Sequence, residues 1–174
     1  MTAKEFQKLV TEDKSDFLDR FLGVLQRLGI DYCMIDGLAV NAYAEPLVTL
    51  DCDGVVVASR IEELEKEMRQ QCRVERFAHS LNLTDPRSKV RIQIQTDEFF
   101  QRFLSRRRPA EVLERSMYVA CPEDLIASKI EAFQEPQRRE SKRLKDLVDI
   151  KRLIEVFPEL KSAVPQSILQ RISL

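Results

Sequence analysis

The chain has no tryptophan, one histidine, four glycines and no apolar run near the ~20 residues that span a membrane. With His79 as the sole imidazole and no serine or cysteine motif beside it, the residues argue against a Ser-His-Asp or Cys-His hydrolase. A zinc site of familiar ligand spacing is likewise not supported. Cys33, Cys52, Cys72 and Cys121 are widely spaced with no CxxC pair, which predicts reduced, mostly buried thiols. Nor is there a surplus of one charge. The 28 basic and 29 acidic residues leave a net −1, so the whole-chain balance calls for neither nucleic acid nor an anionic membrane. The opening residues, MTAKEFQKLVTEDKSDF, are amphipathic and charged where a secretory leader would be apolar. A cytoplasmic protein is expected, with no membrane partner.

What is present fits an ordered globular chain. Hydrophobic residues make up 44% and charged residues 33%, and a chain of 174 residues is long enough to bury a core without a metal or disulfide staple. A single domain over residues 1–174 is expected, with an N-terminal helical segment (1–29), a core (30–120) and C-terminal helices (121–174). Helical spacing runs from Ala3 to Leu28, as one long helix or two short ones, and Gly29 stops it. Residues 31–35 read as a strand, 38–43 as a helix, and 48–57 (VTLDCDGVVV) as a central strand rich in β-branched residues. Ser59 is placed to cap a helix over 60–71. Strands follow at 73–77, 81–83, 89–95 and 117–120, with a short helix over 99–104. Pro122 suits the first position of a helix to about Phe133, and a last helix runs over 144–157. The order predicts a mixed α/β, or α+β, sheet flanked by helices with a helical C-terminal part.

Asp51 and Asp53 are two apart in a strand, so both point to one face, with Cα atoms about 7 Å apart. Such a pair repels itself unless a cation lies between, and Mg²⁺ commonly takes one or two carboxylates and leaves its other positions to water and phosphates. Upstream, Asp36-Gly37 joins a strand to a helix, where glycine lets backbone N–H groups approach a phosphate. Each feature alone has a plain alternative, an ordinary acidic strand and an ordinary turn. Arg106-Arg107-Arg108 and the stretch from Arg138 to Lys145 form two basic clusters, either solvated faces or phosphate contacts. Lys129 is either a surface lysine or a cleft lysine. Asp146 and Asp149, with Lys142 and Lys145 one turn earlier, are either surface i,i+4 pairs or part of a site.

Read together, DGLAVNAYAEPLVTLDCDGVVV from Asp36 to Val57 resembles the signature of the nucleotidyltransferase superfamily, a glycine turn followed by D-x-D. With PEDLIASKIEA (122–132) and the stretch from Arg139 through Lys145-Asp146 to Asp149, the chain is similar to the AbiEii-type nucleotidyltransferase toxins over residues 30–157. That resemblance implies a nucleotidyltransferase-like mixed sheet and transfer of a nucleotidyl group from a nucleoside triphosphate, with Mg²⁺ or Mn²⁺. The acceptor would be an RNA or protein hydroxyl, and a cognate antitoxin is an implied partner. Carried over by position, Asp51 and Asp53 are the metal pair, with Gln93 as a weak third ligand. Gly37, Asp36 and Thr49 lie by the phosphates, Lys129 and Lys145 contact nucleotide, and Asp146 joins Asp51, Asp53 and Lys129 as a catalytic candidate. Three positions depart from the pattern: Asp36 replaces a small residue of the turn, Leu47 stands where many relatives have arginine, and Gln93 or Gln95 stands where a third carboxylate is usual. Glutamine accepts a hydrogen bond but cannot act as a general base, so a weakened or inactive binding module is the alternative. Asp97 is placed to compensate in part if the strand carries on to it.

Overall fold

The computed structural model describes residues 1–173. Eight α-helices and seven strands occur in it: α1 (Ala3–Val10), α2 (Phe17–Leu28), β1 (Tyr32–Ile35), α3 (Asp36–Val40), β2 (Asp51–Val56), α4 (Ile61–Met68), β3 (Arg73–Arg76), β4 (Ser80–Thr84), β5 (Arg91–Gln95), α5 (Glu98–Gln101), β6 (Arg108–Val112), β7 (Arg115–Val119), α6 (Pro122–Gln134), α7 (Glu140–Val156) and α8 (Gln166–Ile172). One mixed sheet runs β3-β4-β5-β2-β1-β7-β6. β2 is antiparallel to β1 and parallel to β5, which sets Asp53 beside Gln93 and Asp51 beside Arg91. The expected class, a mixed sheet flanked by helices, is what the chain adopts.

Local signals explain most of these elements. The N-terminal pattern resolves into two helices, the first closed by a capping box between Thr2 and Glu5. Gly29 ends α2 at φ +61, a left-handed conformation that glycine adopts without strain. Pro122 opens α6, with Glu123 and Asp124 in the first turn where the helix dipole favours negative charge. All four cysteines are free, three of them buried, and burial pushes the thiol of Cys33 up to about 12.

Four expectations need correction. β2 begins at Asp51 rather than Val48, because residues 47–49 form a loop in which Leu47 and Val48 are exposed and Asn41 takes the backbone groups of Leu47. Ser59 caps nothing: it lies in a 3₁₀ turn, Ala58–Arg60, and α4 starts without a side-chain cap. β6 was not foreseen. Its hairpin turns at Leu113 and Glu114, both at positive φ, so the asparagine or glycine that normally signals such a turn is missing, and Pro109 fits only because β6 is an edge strand. α7 starts at Glu140, a turn earlier than expected, which makes Lys142 a helical residue, and it is not the last helix, since α8 follows at Gln166–Ile172. Among the described residues no helix is long and apolar enough to cross a membrane.

The core lies on both faces of the sheet, with Phe17, Phe21, Leu25 and Leu64 from α2 and α4, and Leu125, Ile126, Ile150 and Leu153 from α6 and α7, all nearly fully buried. A polar clasp fastens the N-terminal segment to the β4–β5 connection. Asp85, buried there, accepts hydrogen bonds from Arg87 (backbone N at 2.9 Å, Nε at 3.2 Å, Nη2 at 3.0 Å) and from Arg20 of α2. Arg87 holds this carboxyl well below the usual carboxylate range. A depressed pKa adds stability that is present above the unfolded value, roughly pH 4, and disappears as pH falls. Asp85→Asn is expected to lose about 1.5–3 kcal/mol at pH 7, the range for hydrogen bonds to charged groups. Urea denaturation at pH 7 and pH 3 checks this, and the gap between variant and parent should narrow at the lower pH.

Candidate active site

Asp51 and Asp53 point to the same face of β2 and line the same two cavities. The first, about 340 Å³, lies between α3, the 47–49 loop and α7, and it has an aliphatic wall of Leu47, Val48, Leu144 and Val148. The second, about 450 Å³, lies over the sheet beside Asn82, Arg91, Gln93 and Gln95. The two acids stand where the cavities meet.

Their environments differ sharply. Both oxygens of Asp51 are taken: Lys142 Nζ lies 2.7 Å from Oδ2 and Arg91 Nη2 lies 2.7 Å from Oδ1. Burial raises the Asp51 pKa and these two cations outweigh it, so the net shift is downward. Asp53 is only 8% exposed. Burial pushes its pKa well above the usual range, and the negative charges of Asp36 and Asp51 push it further than Lys129 and Lys142 pull it back. No hydrogen bond is among the causes of that shift. A buried carboxyl of this kind is strongly disfavoured as an anion unless a cation joins it.

Behind the acids lies a knot of buried charge. Lys129 of α6, 4% exposed, has Nζ 2.7 Å from Asp149 Oδ2 and 3.1 Å from Asp146 Oδ1, and it also contacts Asp36. Burial lowers its pKa, and Asp36, Asp149 and Asp146 more than reverse this, so it stays charged. Asp146 is fully buried, and Arg138 clamps it with Nε at 2.5 Å and Nη2 at 3.0 Å. Asp149 also receives Arg152 Nη1 at 2.8 Å, while Arg152 Nη2 reaches Asn41 Oδ1 at 2.8 Å. Asn41 Nδ2 donates to the Leu47 carbonyl at 2.8 Å, so one chain of contacts carries from α7 to the loop before β2. The Thr49 hydroxyl accepts from the Asp51 N–H at 3.2 Å and donates to the Asp51 carbonyl at 3.1 Å, aligning the start of that strand.

Asp51, Asp53, Asp36, Gly37, Thr49, Lys129, Lys145 and Asp146 all line the first cavity, and Gln93 joins Asp51 and Asp53 in the second. The geometry changes several roles. Lys129 and Asp146 line the cavity while buried in mutual ion pairs, so their charges are already compensated within the protein. Asp36 is paired with Lys129, and its backbone adopts a positive φ of +58. A Cβ on Gly37 would meet Asp149 Oδ2 at 3.8 Å, an ordinary contact, so packing does not demand glycine there. The i,i+4 pairs on α7 do not form, because Lys142 turns to Asp51 and Asp146 to Lys129 and Arg138. Asp97 does not compensate for Gln93: β5 stops at Gln95, and Asp97 instead meets His79 Nδ1 at 2.6 Å. The Arg106–Arg108 cluster is outside both cavities, paired with Asp124, Asp31 and Glu123 at the start of α6 and beside β1. Sequence reasoning missed Arg152 and Asn41. Only the i,i+3 spacing of Asp149 and Arg152 on α7 could have suggested the first.

Two outcomes follow from this charge pattern. Lys129→Met strips the buried Asp146 and Asp149, and the partly exposed Asp36, of their shared cation and should cost about 3–5 kcal/mol in urea denaturation. Asp53→Asn should do the opposite in EDTA. A carboxyl with a raised folded pKa loses stability as pH climbs from its unfolded value, 3.8, towards the folded one, so the amide removes a penalty at pH 7 that is absent at pH 3. Thermal unfolding at the two pH values checks it, with a higher midpoint for the variant only at pH 7.

The description "Nucleotidyl transferase AbiEii toxin, Type IV TA system" matches residues 40–172. No curated protein matches the chain. Among solved structures the fold is similar to ANT(2")-Ia in complex with adenylyl-2"-tobramycin, at a TM-score of 0.65 and 14% identity, over 91% of this chain and 98% of that one. It is also similar to the lincosamide antibiotic adenylyltransferase LnuA with lincomycin bound, at 0.57 and 13%, over 82% and 98%. An antigenic nucleotidyltransferase-like protein from Paracoccidioides brasiliensis aligns at 0.51 and 21%, over 86% and 75%. At these identities the structural likeness establishes the fold, and the sequence match over 40–172 establishes the kinship: the chain belongs to the AbiEii nucleotidyltransferase family of type IV toxin–antitoxin toxins.

Proposed function

We propose that this chain transfers a nucleotidyl group from a nucleoside triphosphate to an RNA or protein hydroxyl in the cytoplasm, with Mg²⁺ or Mn²⁺, as a toxin held in check by a cognate antitoxin. The observation that carries the reading is the buried carboxyl of Asp53, beside Asp51 at the meeting point of two cavities, with no hydrogen bond to settle its charge. Among the described residues no group of three or more His, Cys, Asp or Glu side chains is arranged to hold a metal ion. A pair of carboxylates is nonetheless a fitting donor set for Mg²⁺, which takes most of its ligands from water and phosphate. Asp51 and Asp53 would hold the cation, with the Gln93 carbonyl as a weak neighbour. Bound there, the cation supplies neutralising charge to the triphosphate and to the leaving pyrophosphate.

The chain's own residues do the rest. Gly37 admits the phosphates close to the backbone of the α3 turn, and Lys145, exposed at the rim of the first cavity, meets their outer oxygens. The aliphatic wall of Leu47, Val48, Leu144 and Val148 leaves the nucleoside an apolar surface, while the polar cavity over Gln93 and Gln95 is left for the acceptor. The acceptor oxygen bonds to the α-phosphorus, the α–β bridging bond breaks, pyrophosphate leaves, and the hydroxyl proton passes to solvent. Gln93 can orient that hydroxyl but cannot take its proton.

A second reading, a nucleotide-binding module without turnover, is favoured by one observation, that the side chain paired in register with Asp53 is Gln93 and not a carboxylate. Labelled nucleoside triphosphates, incubated with total RNA and protein and either Mg²⁺ or Mn²⁺, separate the two. Transfer by the parent chain that falls by about 10²–10³ in Asp53→Asn, the scale of removing one key electrostatic contact, supports the enzyme. Tight triphosphate binding without transfer under either cation supports the module, and equal labelling by parent and variant overturns the metal assignment.

A further inference from the structure

The cations around the cleft are not equivalent. Lys129 is enclosed by the buried Asp146 and Asp149 and the partly exposed Asp36, Arg138 clamps the fully buried Asp146, and Arg152 serves Asp149. Moving any of them would uncover a buried anion. Lys142 holds only Asp51, and both partners are partly exposed, 33% and 28% at their side chains. It reaches in from α7 on a flexible four-carbon stem and lines both cavities. Arg91, the other partner of Asp51, stands beside it by strand register, is more exposed at its side chain (59%) and lines the second cavity but not the first.

Because both oxygens of Asp51 already carry a cation, a divalent ion that ligates Asp51 has to compete with one of them, and like charges on one carboxylate repel. We propose that Lys142 is the cleft's resident counter-ion: it neutralises Asp51 until a divalent cation takes that carboxylate, and then turns to the incoming triphosphate. This rests on the nucleotidyltransferase reading above. Lys142 and Arg91 are the cleft cations whose departure exposes only an acid that the arriving metal covers, and of the two Lys142 alone lines the cavity assigned to the triphosphate. The exchange couples the two ligands. A divalent cation alone must displace an ammonium whose one ion-pair partner among the described residues is Asp51, whereas a cation arriving with triphosphate releases Lys142 onto a new partner, and by linkage each ligand then favours the other.

Lys142→Met keeps the stem and removes the charge. Mn²⁺ is titrated against parent and variant, without nucleotide and with a non-hydrolysable triphosphate analogue, by electron paramagnetic resonance or calorimetry. The expected result has opposite signs in the two arms. Without nucleotide, Mn²⁺ binds roughly three- to fivefold more tightly to the variant, the worth of a partly exposed ion pair. With Mn²⁺ present, the analogue binds the variant about tenfold more weakly, the scale of a lost charged hydrogen bond. A merely structural lysine would weaken both or neither. Unchanged or weaker Mn²⁺ binding to Lys142→Met overturns the inference. Asp51→Asn and Asp53→Asn separate the causes. If they abolish Mn²⁺ binding and Lys142→Met does not tighten it, only the role of Lys142 falls. If they leave Mn²⁺ binding as it is in the parent, the metal site and this inference fall together.

Discussion

One ammonium group, that of Lys129, organises the functional end of the molecule. It sits between Asp36 at the start of α3 and Asp146 and Asp149 on α7, so a single buried cation locks three helices together at the edge of the cleft. A buried ion cluster of this kind is a poor source of net stability, since desolvation offsets most of the attraction. Its value is positional. Once α7 is fixed by Asp146 and Asp149, its preceding turn delivers Lys142 to Asp51, and its next delivers Arg152 to Asn41 and hence to the loop that leads into β2.

Seen as a distribution of charge, the cleft solves the problem of its carboxylates unevenly. Asp36, Asp146 and Asp149 are neutralised inside the protein, Asp51 is neutralised at the boundary, and Asp53 is left to burial and repulsion. A carboxyl left uncompensated at the junction of two cavities is the observation on which the proposed cation site rests. In this member of a nucleotidyltransferase family the fold brings two strand carboxylates, an apolar-walled chamber and a polar chamber to one place. Gln93 is where this chain departs most from that scheme, because an amide can hold a hydroxyl in place without activating it.

Much of this was legible from residues alone. The two-residue period of a strand placed Asp51 and Asp53 on one face, the proline at position 122 and the glycine at position 29 marked helix ends, and the scarcity of histidine pointed away from hydrolase triads. Where reading failed, the local signal was absent or misleading. Val48 and Leu47 have strand composition but the backbone groups of Leu47 are taken by Asn41, and the β6–β7 hairpin turns on a leucine and a glutamate.

The sequence by itself determined which side chains lie on which face of each element, because those periods of 2 and 3.6 residues are properties of the backbone. Only the tertiary structure decided who neutralises whom. Lys142 has Asp146 one turn away, yet its partner is Asp51, 91 residues distant, because Asp146 is already buried against Lys129 and Arg138. Charge pairing depends on which groups folding removes from water, and burial is a property of the whole chain rather than of any segment.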